Sequence, residues 1–450
     1  MPMINKKNQA KKILELTAKI VLQSAKGIQI PETSAKIVLN KESFSIFLEN
    51  SETYLFSYRE IINLTFVDFQ LKLSLDQEKE LIISQLGYQF EDFIRIFIKL
   101  RNEALLQDLL FQETLKKSGL EADFSFFDKA GVEKQKGRAE FKFYQTSLVI
   151  LPESGELARI FFSDIQESKI DDFQIIFELE SGEKLVISKL GEEFDLFKET
   201  LQGCLNEIFL NIQSFIKGIW SEIDFSTLNK ISKLMKEGKA VKRKNLEIIS
   251  SEFWQRLEKK IRQTAIKEEY EFLQTIGEKD EIYIGFKKGL MGGLSGDYFW
   301  FFIPIYGEKA KFGNALAFET AGEKETGRAT YFFKIVSRKK YAKIKDRAEL
   351  GQKTDDLILN ISRALRAINF RREPIYLPQE KLEEPEYARY KFSMAKIPEI
   401  KIMRELFIGR VVHSNNKQWQ EDVKNLLEFN LKSKDDQEKW QKTKKVESEI

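Results

Sequence analysis

Residues 60–93 read EIINLTFVDFQLKLSLDQEKELIISQLGYQFEDF, and residues 164–197, at an offset of 104, read DIQESKIDDFQIIFELESGEKLVISKLGEEFDLF. The two align without a gap, pairing Ile61 with Ile165, Asp68-Phe69-Gln70 with Asp172-Phe173-Gln174, Ile83-Ser84 with Ile187-Ser188, and Leu86-Gly87 with Leu190-Gly191. A period of this length is that of a whole domain rather than a solenoid unit, so the first half of the chain is one module used twice.

Working outward from that stretch, residues 35–39, 43–48, 53–56, 61–66, 70–75 and 80–83 read as short strands. Alternation is clearest in Gln70-Leu71-Lys72-Leu73-Ser74-Leu75, which sends three leucines to one face, as a half-buried antiparallel strand requires. After Leu86-Gly87 the period changes. Phe90, Phe93, Ile94 and Phe97 fall at the spacing of an amphipathic helix, and Phe194, Phe197, Leu201, Leu205 and Ile208 copy them.

An antiparallel meander closed by one C-terminal helix, with Tyr58-Arg59-Glu60-Ile61 and Phe162-Ser163-Asp164-Ile165 before the central hairpin, resembles the pleckstrin-homology-like (PH-like) superfold. The resemblance covers residues 27–112 and 131–212 and is to tandem PH-like domains of the bacterial kind. It implies two PH-like antiparallel β-barrels, each capped by a helix, and leaves the function open, because such folds host phosphoinositide binding, peptide binding and scaffolding. Lipid-binding members resemble one another in a basic cluster on the first hairpin, which gives Lys134, Lys136, Arg138 and Lys142 as candidate headgroup ligands in the second repeat. The first repeat offers only Lys36 and Lys41 there. The rest of the second repeat is acidic and repels an anionic surface, so a solvated edge strand is the competing reading.

The second half differs. Apolar residues at helical spacing over 225–235 and 246–272 flank the basic run 236–244, which reads as a helical bridge with a charged linker. Four strands follow over 281–286, 297–305, 315–320 and 329–337, then a helix over 354–370, an α+β domain distinct from the repeats. The aromatic run Tyr298-Phe299-Trp300-Phe301-Phe302, with Phe318, Tyr331, Phe332 and Phe333, reads as packed core rather than a base-stacking platform. Two glycine clusters, 289–296 and 322–328, lack the Gly-Lys-Ser/Thr ending that cradles phosphate and read as loops, the first with the alternative of a binding lid. The fold class is therefore α+β, with domains at 1–112, 113–215, 216–277 and 278–430 and a disordered charged tail at 431–450.

Charge divides along the same line. Residues 1–215 carry 26 Lys and Arg against 34 Asp and Glu, a net of −8, and residues 216–450 carry 47 against 36, a net of +11. Arg338, Lys339, Lys340, Arg363, Arg366, Arg371 and Arg372 form the sharpest unexplained cationic set, a candidate grip for phosphate, nucleic acid or an acidic partner. The competing reading has Arg371 and Arg372 anchor a helix end and pair with Glu319 or Glu373. Cys204 is the only cysteine and His413 the only histidine, which excludes an intramolecular disulfide and zinc or multi-histidine metal sites. His413 reads as a packing or capping residue before a helix opened by Ser414. No cofactor and no small-molecule substrate is inferred, and catalysis is left to Asp, Glu and Arg alone. Abundant Lys, Glu, Ile and Phe suit a thermophile or an AT-rich genome. No run reaches the roughly 20 apolar residues of a membrane span, and the N-terminus lacks a signal's apolar core. The sequence thus points to a cytoplasmic, non-enzymatic interaction protein assembling with protein partners or with itself. The alternative is an anionic-membrane or nucleic-acid binder acting through residues 216–430.

Overall fold

Alternation over 70–75 buries Leu71, Leu73 and Leu75 and leaves Gln70, Lys72 and Ser74 partly exposed. The same rule builds both repeats. In the computed structural model the described residues are 12–25, 27–75, 79–108, 113–153, 157–290, 294–306, 314–322, 329–387, 390, 394, 397–433 and 435–441. The chain divides into two compact units, Met1–Cys204 with Ala388–Lys396, and Leu205–Tyr387 with Ile397–Ile450.

The first unit contains both repeats. Strands β1 (Leu14–Ser24), β2 (Gly27–Leu39), β3 (Ser43–Leu48), β4 (Thr53–Ser57), β5 (Ile61–Val67), β6 (Gln70–Leu75) and β7 (Lys79–Ser84) form one antiparallel sheet in the order β4-β3-β2-β1-β7-β6-β5, followed by helix α1 (Phe90–Asp108). The second repeat copies it with β8 (Leu115–Phe127), β9 (Glu133–Tyr144), β10 (Ser147–Pro152), β11 (Ala158–Phe161), β12 (Ile165–Asp171), β13 (Gln174–Leu179) and β14 (Lys184–Ser188), ordered β11-β10-β9-β8-β14-β13-β12, and helix α2 (Phe194–Ile219). Two seven-stranded antiparallel sheets, each ending in a helix, fit the tandem PH-like arrangement. The duplicated module begins earlier than residues 27 and 131, because β1 and β8 precede them and occupy the centre of each sheet.

Helix α1 lies on its sheet through Phe93 and Phe97, both wholly buried, and Phe97 meets Phe44 and Tyr58 at centroid distances of 5.2 and 5.4 Å. Phe197 repeats this against Phe141 and Phe143 at 5.5 and 4.8 Å. Each buried phenyl contributes roughly 1.5–3 kcal/mol of transfer free energy. At its C-terminal end α1 turns to the second repeat. Leu106 packs on Val149 and Leu151 of β10, and Asn102 Nδ2 donates to the Pro152 carbonyl at 3.4 Å.

In the second unit, β15 (Ala240–Lys242), β16 (Tyr283–Leu290), β17 (Leu294–Ile305), β18 (Ala315–Gly322), β19 (Ala329–Lys334) and β20 (Phe407–Val412) form a meander in sequence order. The third sheet therefore has six strands, not four. The expected loop at 289–296 is corrected to the ends of β16 and β17, leaving residues 291–293 outside the described set; the cluster at 322–328 begins as the end of β18, and residues 323–328 also lie outside it. All nine aromatic residues assigned to core are at most 7% exposed.

The region expected to be a helical bridge belongs to this unit. Its helices are α3 (Phe225–Leu234), α4 (Arg243–Ile249), α5 (Ser251–Ile261) and α6 (Lys267–Ile276). Ser250, extended and accepting from the Phe253 amide, breaks the run read as one helix over 246–272. The basic linker is corrected too: Ala240 and Val241 are buried as an edge strand paired with Gly285 and Ile284. Tyr270 of α6 packs on Phe301 at 4.9 Å, and Phe215 of α2 stacks on Phe286 at 3.5 Å. Helices α7 (Arg338–Tyr341), α8 (Arg347–Ala367), α9 (Glu373–Tyr376), α10 (Gln379–Leu382), α11 (Pro398–Leu406) and α12 (Asn416–Lys432) complete the unit. Beyond α8, Phe370 meets Trp300 on the opposite sheet face at 4.6 Å.

The reading of 431–450 as a disordered tail is also corrected where it is described. Lys432 closes α12, Asp436 takes an ion pair from the nearly buried Lys334 at 2.9 Å, and the Trp440 amide donates to Ile408. Residues 434 and 442–450 lie outside the described set. Lys439 donates to the Arg404 and Glu405 carbonyls at 3.3 and 3.2 Å, ending α11, and burial pushes its ammonium down to about 8 from the ordinary 10.5. Between those values the unfolded chain holds more protons than the folded one. Stability is therefore expected to rise with pH from 8 towards 10.5 and to fall back as pH drops through 8. The difference in denaturation midpoint between the wild type and Lys439→Met should grow in the wild type's favour across that window.

Candidate functional site

The four candidate headgroup ligands stand on the outer face of β9, where the alternating pattern puts polar side chains opposite Ala139, Phe141 and Phe143. All four are paired. Lys134 meets Asp128 at 2.9 Å, Lys136 meets Glu133 at 2.8 Å, Arg138 meets Glu121 at 3.2 Å and Lys142 meets Glu140 at 3.7 Å. Lys134 and backbone amides hold the Asp128 carboxyl below its usual range, and Glu133 holds Lys136 above its own. A lipid phosphate would have to displace a carboxylate from each cation.

The larger cationic set does not converge on one cleft. The Arg338 guanidinium donates to the Asn430 carbonyl at the end of α12, and its backbone amide donates to the Asp436 carboxylate at 3.2 Å, so it closes a helix C-terminus. Arg366 is buried, donates from Nε to the Ser362 carbonyl at 3.2 Å, and presses on Gly238, where a Cβ would fall 2.7 Å from its Cδ. Arg372 lies over the rings of Phe318 and Tyr331, at 5.0 and 5.3 Å, and donates to Thr320 Oγ1 at 2.6 Å. Arg363 and Arg371 are half-buried, and both engage neighbours. Lys339 and Lys340 remain as exposed cations. With Lys343 and Lys345 they make a lysine surface around half-buried Tyr341 and Ile344, and none of the four forms an ion pair among the described residues.

Glu319 is not the partner of Arg371 or Arg372. It is wholly buried on the opposite sheet face and accepts from His413 Nε2 at 2.9 Å, from Thr330 Oγ1 at 2.8 Å and from the Thr320 amide at 3.0 Å. Glu373 does bond Arg372, through the backbone amide at 3.1 Å. Packed edge-on against Trp419, His413 thus ties the end of β20 to β18 and β19, and the helix beyond is capped by Asn415 rather than Ser414. The same ring nitrogen lies within hydrogen-bond reach of both Glu319 and the Thr330 hydroxyl, at 2.9 and 3.3 Å. A second polar cluster joins β15 to α8. Lys242 meets Glu281 at 2.9 Å and Asp355 at 3.2 Å, while Tyr283 donates to Asp355. Burial opposes the Lys242 charge, but the two carboxylates outweigh it and hold the ammonium above the usual lysine range.

A pocket of about 130 Å³ opens between α2, α5 and the sheet, lined by Asn211, Ser214, Phe215, Lys260 and Lys288. It is smaller than the roughly 300 Å³ at which ligand pockets begin.

Left-handed backbone recurs in the stretch that reveals the repeat, as it does at Asn369-Phe370. Asp68 and Phe69 join β5 to β6 with φ of 50° and 57°, and Asp172 and Phe173 join β12 to β13 with φ of 44° and 58°. Two left-handed residues make the hairpin turn that Asn-Gly normally supplies, and a bulky side chain there is strained by roughly 1–2 kcal/mol. Both phenylalanines are exposed, at 77% and 75%, with only an edge contact to Phe90 or Phe194 at 5.6 and 5.5 Å. Acidic residues neighbour both the turns and the helix starts they touch. Asp68 and Glu91 flank the first tip, and Asp171, Asp172, Glu192 and Asp195 flank the second; all are exposed and none forms an ion pair among the described residues. Their place in the repeat is plain in the sequence, but their exposure carries no sequence signal. Replacing each by Asn, which tolerates left-handed backbone, is expected to leave stability unchanged within about 0.5 kcal/mol, since relief of strain offsets the lost ring contact. Hydrogen exchange across both hairpins checks this.

No family model matches the chain, and no curated protein matches it. Among solved structures, that of the Spt16D Pob3N heterodimer is similar over 38% of this chain and 85% of that chain, at 12% identity and a TM-score of 0.16, a likeness too slight to bear on fold or function. Among the described residues no helix is long and apolar enough to cross a membrane.

Proposed function

We propose that the chain is a non-catalytic, cytoplasmic interaction protein whose tandem PH-like modules bind other protein surfaces. The observation that carries this reading is the pair of equivalent phenylalanine tips: the fold holds a strained, exposed aromatic at the same place in both copies. Strain kept at a surface is a mark of function, and exposed aromatics are the residues that anchor protein interfaces. The four cations on β9 support the same reading, because each already has a carboxylate partner that a phosphate would compete with. A photo-crosslinking residue at Tyr88, 96% exposed beside the first helix, tests it. A discrete protein adduct in cells supports the proposal, and adducts confined to lipid or nucleic acid would reject it.

The lysine surface at 339–345 favours a second reading, an anionic-membrane or nucleic-acid binder. Co-sedimentation of the intact chain with anionic liposomes, and filter binding to duplex DNA, at low and physiological salt separates the two. Binding that fades with salt and is lost in Lys339→Ala/Lys340→Ala would put this second reading first.

A further inference from the structure

We propose that the phenylalanine tips of one copy dock on the lysine surface of a second copy, joining chains head to tail; this rests on the protein-interaction reading above and names the partner.

The two surfaces are complementary in chemistry. Each tip is an exposed phenyl ring on a hairpin that packs edge-on against the first residue of an acidic helix start, with exposed acids that form no ion pair among the described residues: Asp68 in the first turn and Glu91 after Phe90, Asp171 and Asp172 at the second turn and Glu192 and Asp195 around Phe194. The helix dipole accounts for acids in the first turns of α1 and α2. The left-handed turn favours aspartate at 68 and 172, but neither effect accounts for the exposed aromatic that follows. The second unit offers the converse, Tyr341 and Ile344 half-exposed among Lys339, Lys340, Lys343 and Lys345, none of them neutralised among the described residues. The halves of the chain carry −8 and +11, so like surfaces repel and unlike ones attract. That disfavours a two-fold contact of one patch with itself and favours a heterologous one, which closes a ring or runs on as a filament.

Two tips serve one lysine surface, so either can act and both must be changed to abolish docking. The test is sedimentation velocity of the intact chain over a wide concentration range at low and high salt. The wild type is expected to associate at low salt and dissociate as salt rises. Phe69→Asn/Phe173→Asn, whose fold hydrogen exchange verifies, should weaken association about tenfold or more, and so should Lys339→Glu/Lys340→Glu. Combining both reversals in one chain, Lys339→Glu/Lys340→Glu with Asp68→Lys/Asp172→Lys, should restore it, an outcome that a merely damaged fold cannot give. A chain that stays monomeric at every concentration overturns the proposal, as does association indifferent to both sets of variants. The wider reading fails separately: a monomer whose Tyr88 crosslink still captures another protein keeps the interaction function with a different partner, and a monomer without a protein adduct loses both.

Discussion

His413→Ala is expected to cost about 3–5 kcal/mol of stability in the second unit, the range for removing one member of a buried polar pair. The Glu319 carboxylate is wholly buried and receives three donors, from His413, Thr330 and the Thr320 backbone. Alanine removes the side chain that closes the site at the end of β20 and leaves the wholly buried Glu319 carboxylate without its imidazole partner, with the half-buried Glu269 carboxyl still within electrostatic reach. Only two donors then remain. If the pair acts structurally, replacing both partners by apolar residues of similar size removes the desolvation cost together with the bond. Glu319→Leu/His413→Leu is accordingly expected to recover most of the loss. Tryptophan fluorescence in a denaturant titration reports this directly, because all five tryptophans, at 220, 254, 300, 419 and 440, lie in the second unit. A double variant as unstable as the single one would assign the loss to packing of the imidazole on Trp419 instead.

How far the sequence revealed this molecule depended on the length over which each pattern ran. Leu71, Leu73 and Leu75 alternate over a full strand, and Phe90, Phe93 and Phe97 recur over several helical turns, so their burial was readable. Ala240 and Val241 could not be found this way. Three residues inside a lysine-rich run carry no period, and they become a strand only because Gly285 and Ile284 present an open edge to them. The same holds for 407–412, added at the far edge by pairing with β19. Strand β1 was readable in principle, since Leu16, Ala18, Ile20 and Leu22 alternate with polar or half-exposed neighbours, yet its partners over 27–39 and 79–84 define it more than its own composition does. The sites were less legible still. Glu319 and His413 lie 94 residues apart and meet only across three strands, while Arg338, Arg366 and Arg372 read as a cationic cluster although each is absorbed by a carbonyl, a hydroxyl or an aromatic face. Phenylalanine in a hydrophobic sequence reads as core by default, which hid the two tips in plain view.

Gly285→Ala should be nearly as damaging as loss of His413, for a reason that lies in one cross-strand pair. Gly285 of β16 stands directly opposite Trp300 of β17, and the indole, wholly buried, lies across the glycine. A Cβ added there would fall 2.2 Å from Cε2, 2.3 Å from Cζ2 and 2.6 Å from Nε1 of that ring. No real contact is that short. The indole is wholly buried and already packed on Phe370 at 4.6 Å, so it has little room to retreat, and either the sheet spreads or the tryptophan leaves its rotamer. Overpacking of a filled core typically costs about 1–3 kcal/mol and more where backbone must move, and a destabilisation near 3 kcal/mol is expected. The cost belongs to the pair, so it should shrink when the ring does. In Gly285→Ala/Trp300→Leu the methyl group occupies space the indole gave up, and the double variant is expected to be more stable than the sum of the two single losses predicts. Strict additivity would mean that the glycine is required for its backbone alone, and that the indole only happens to cover it.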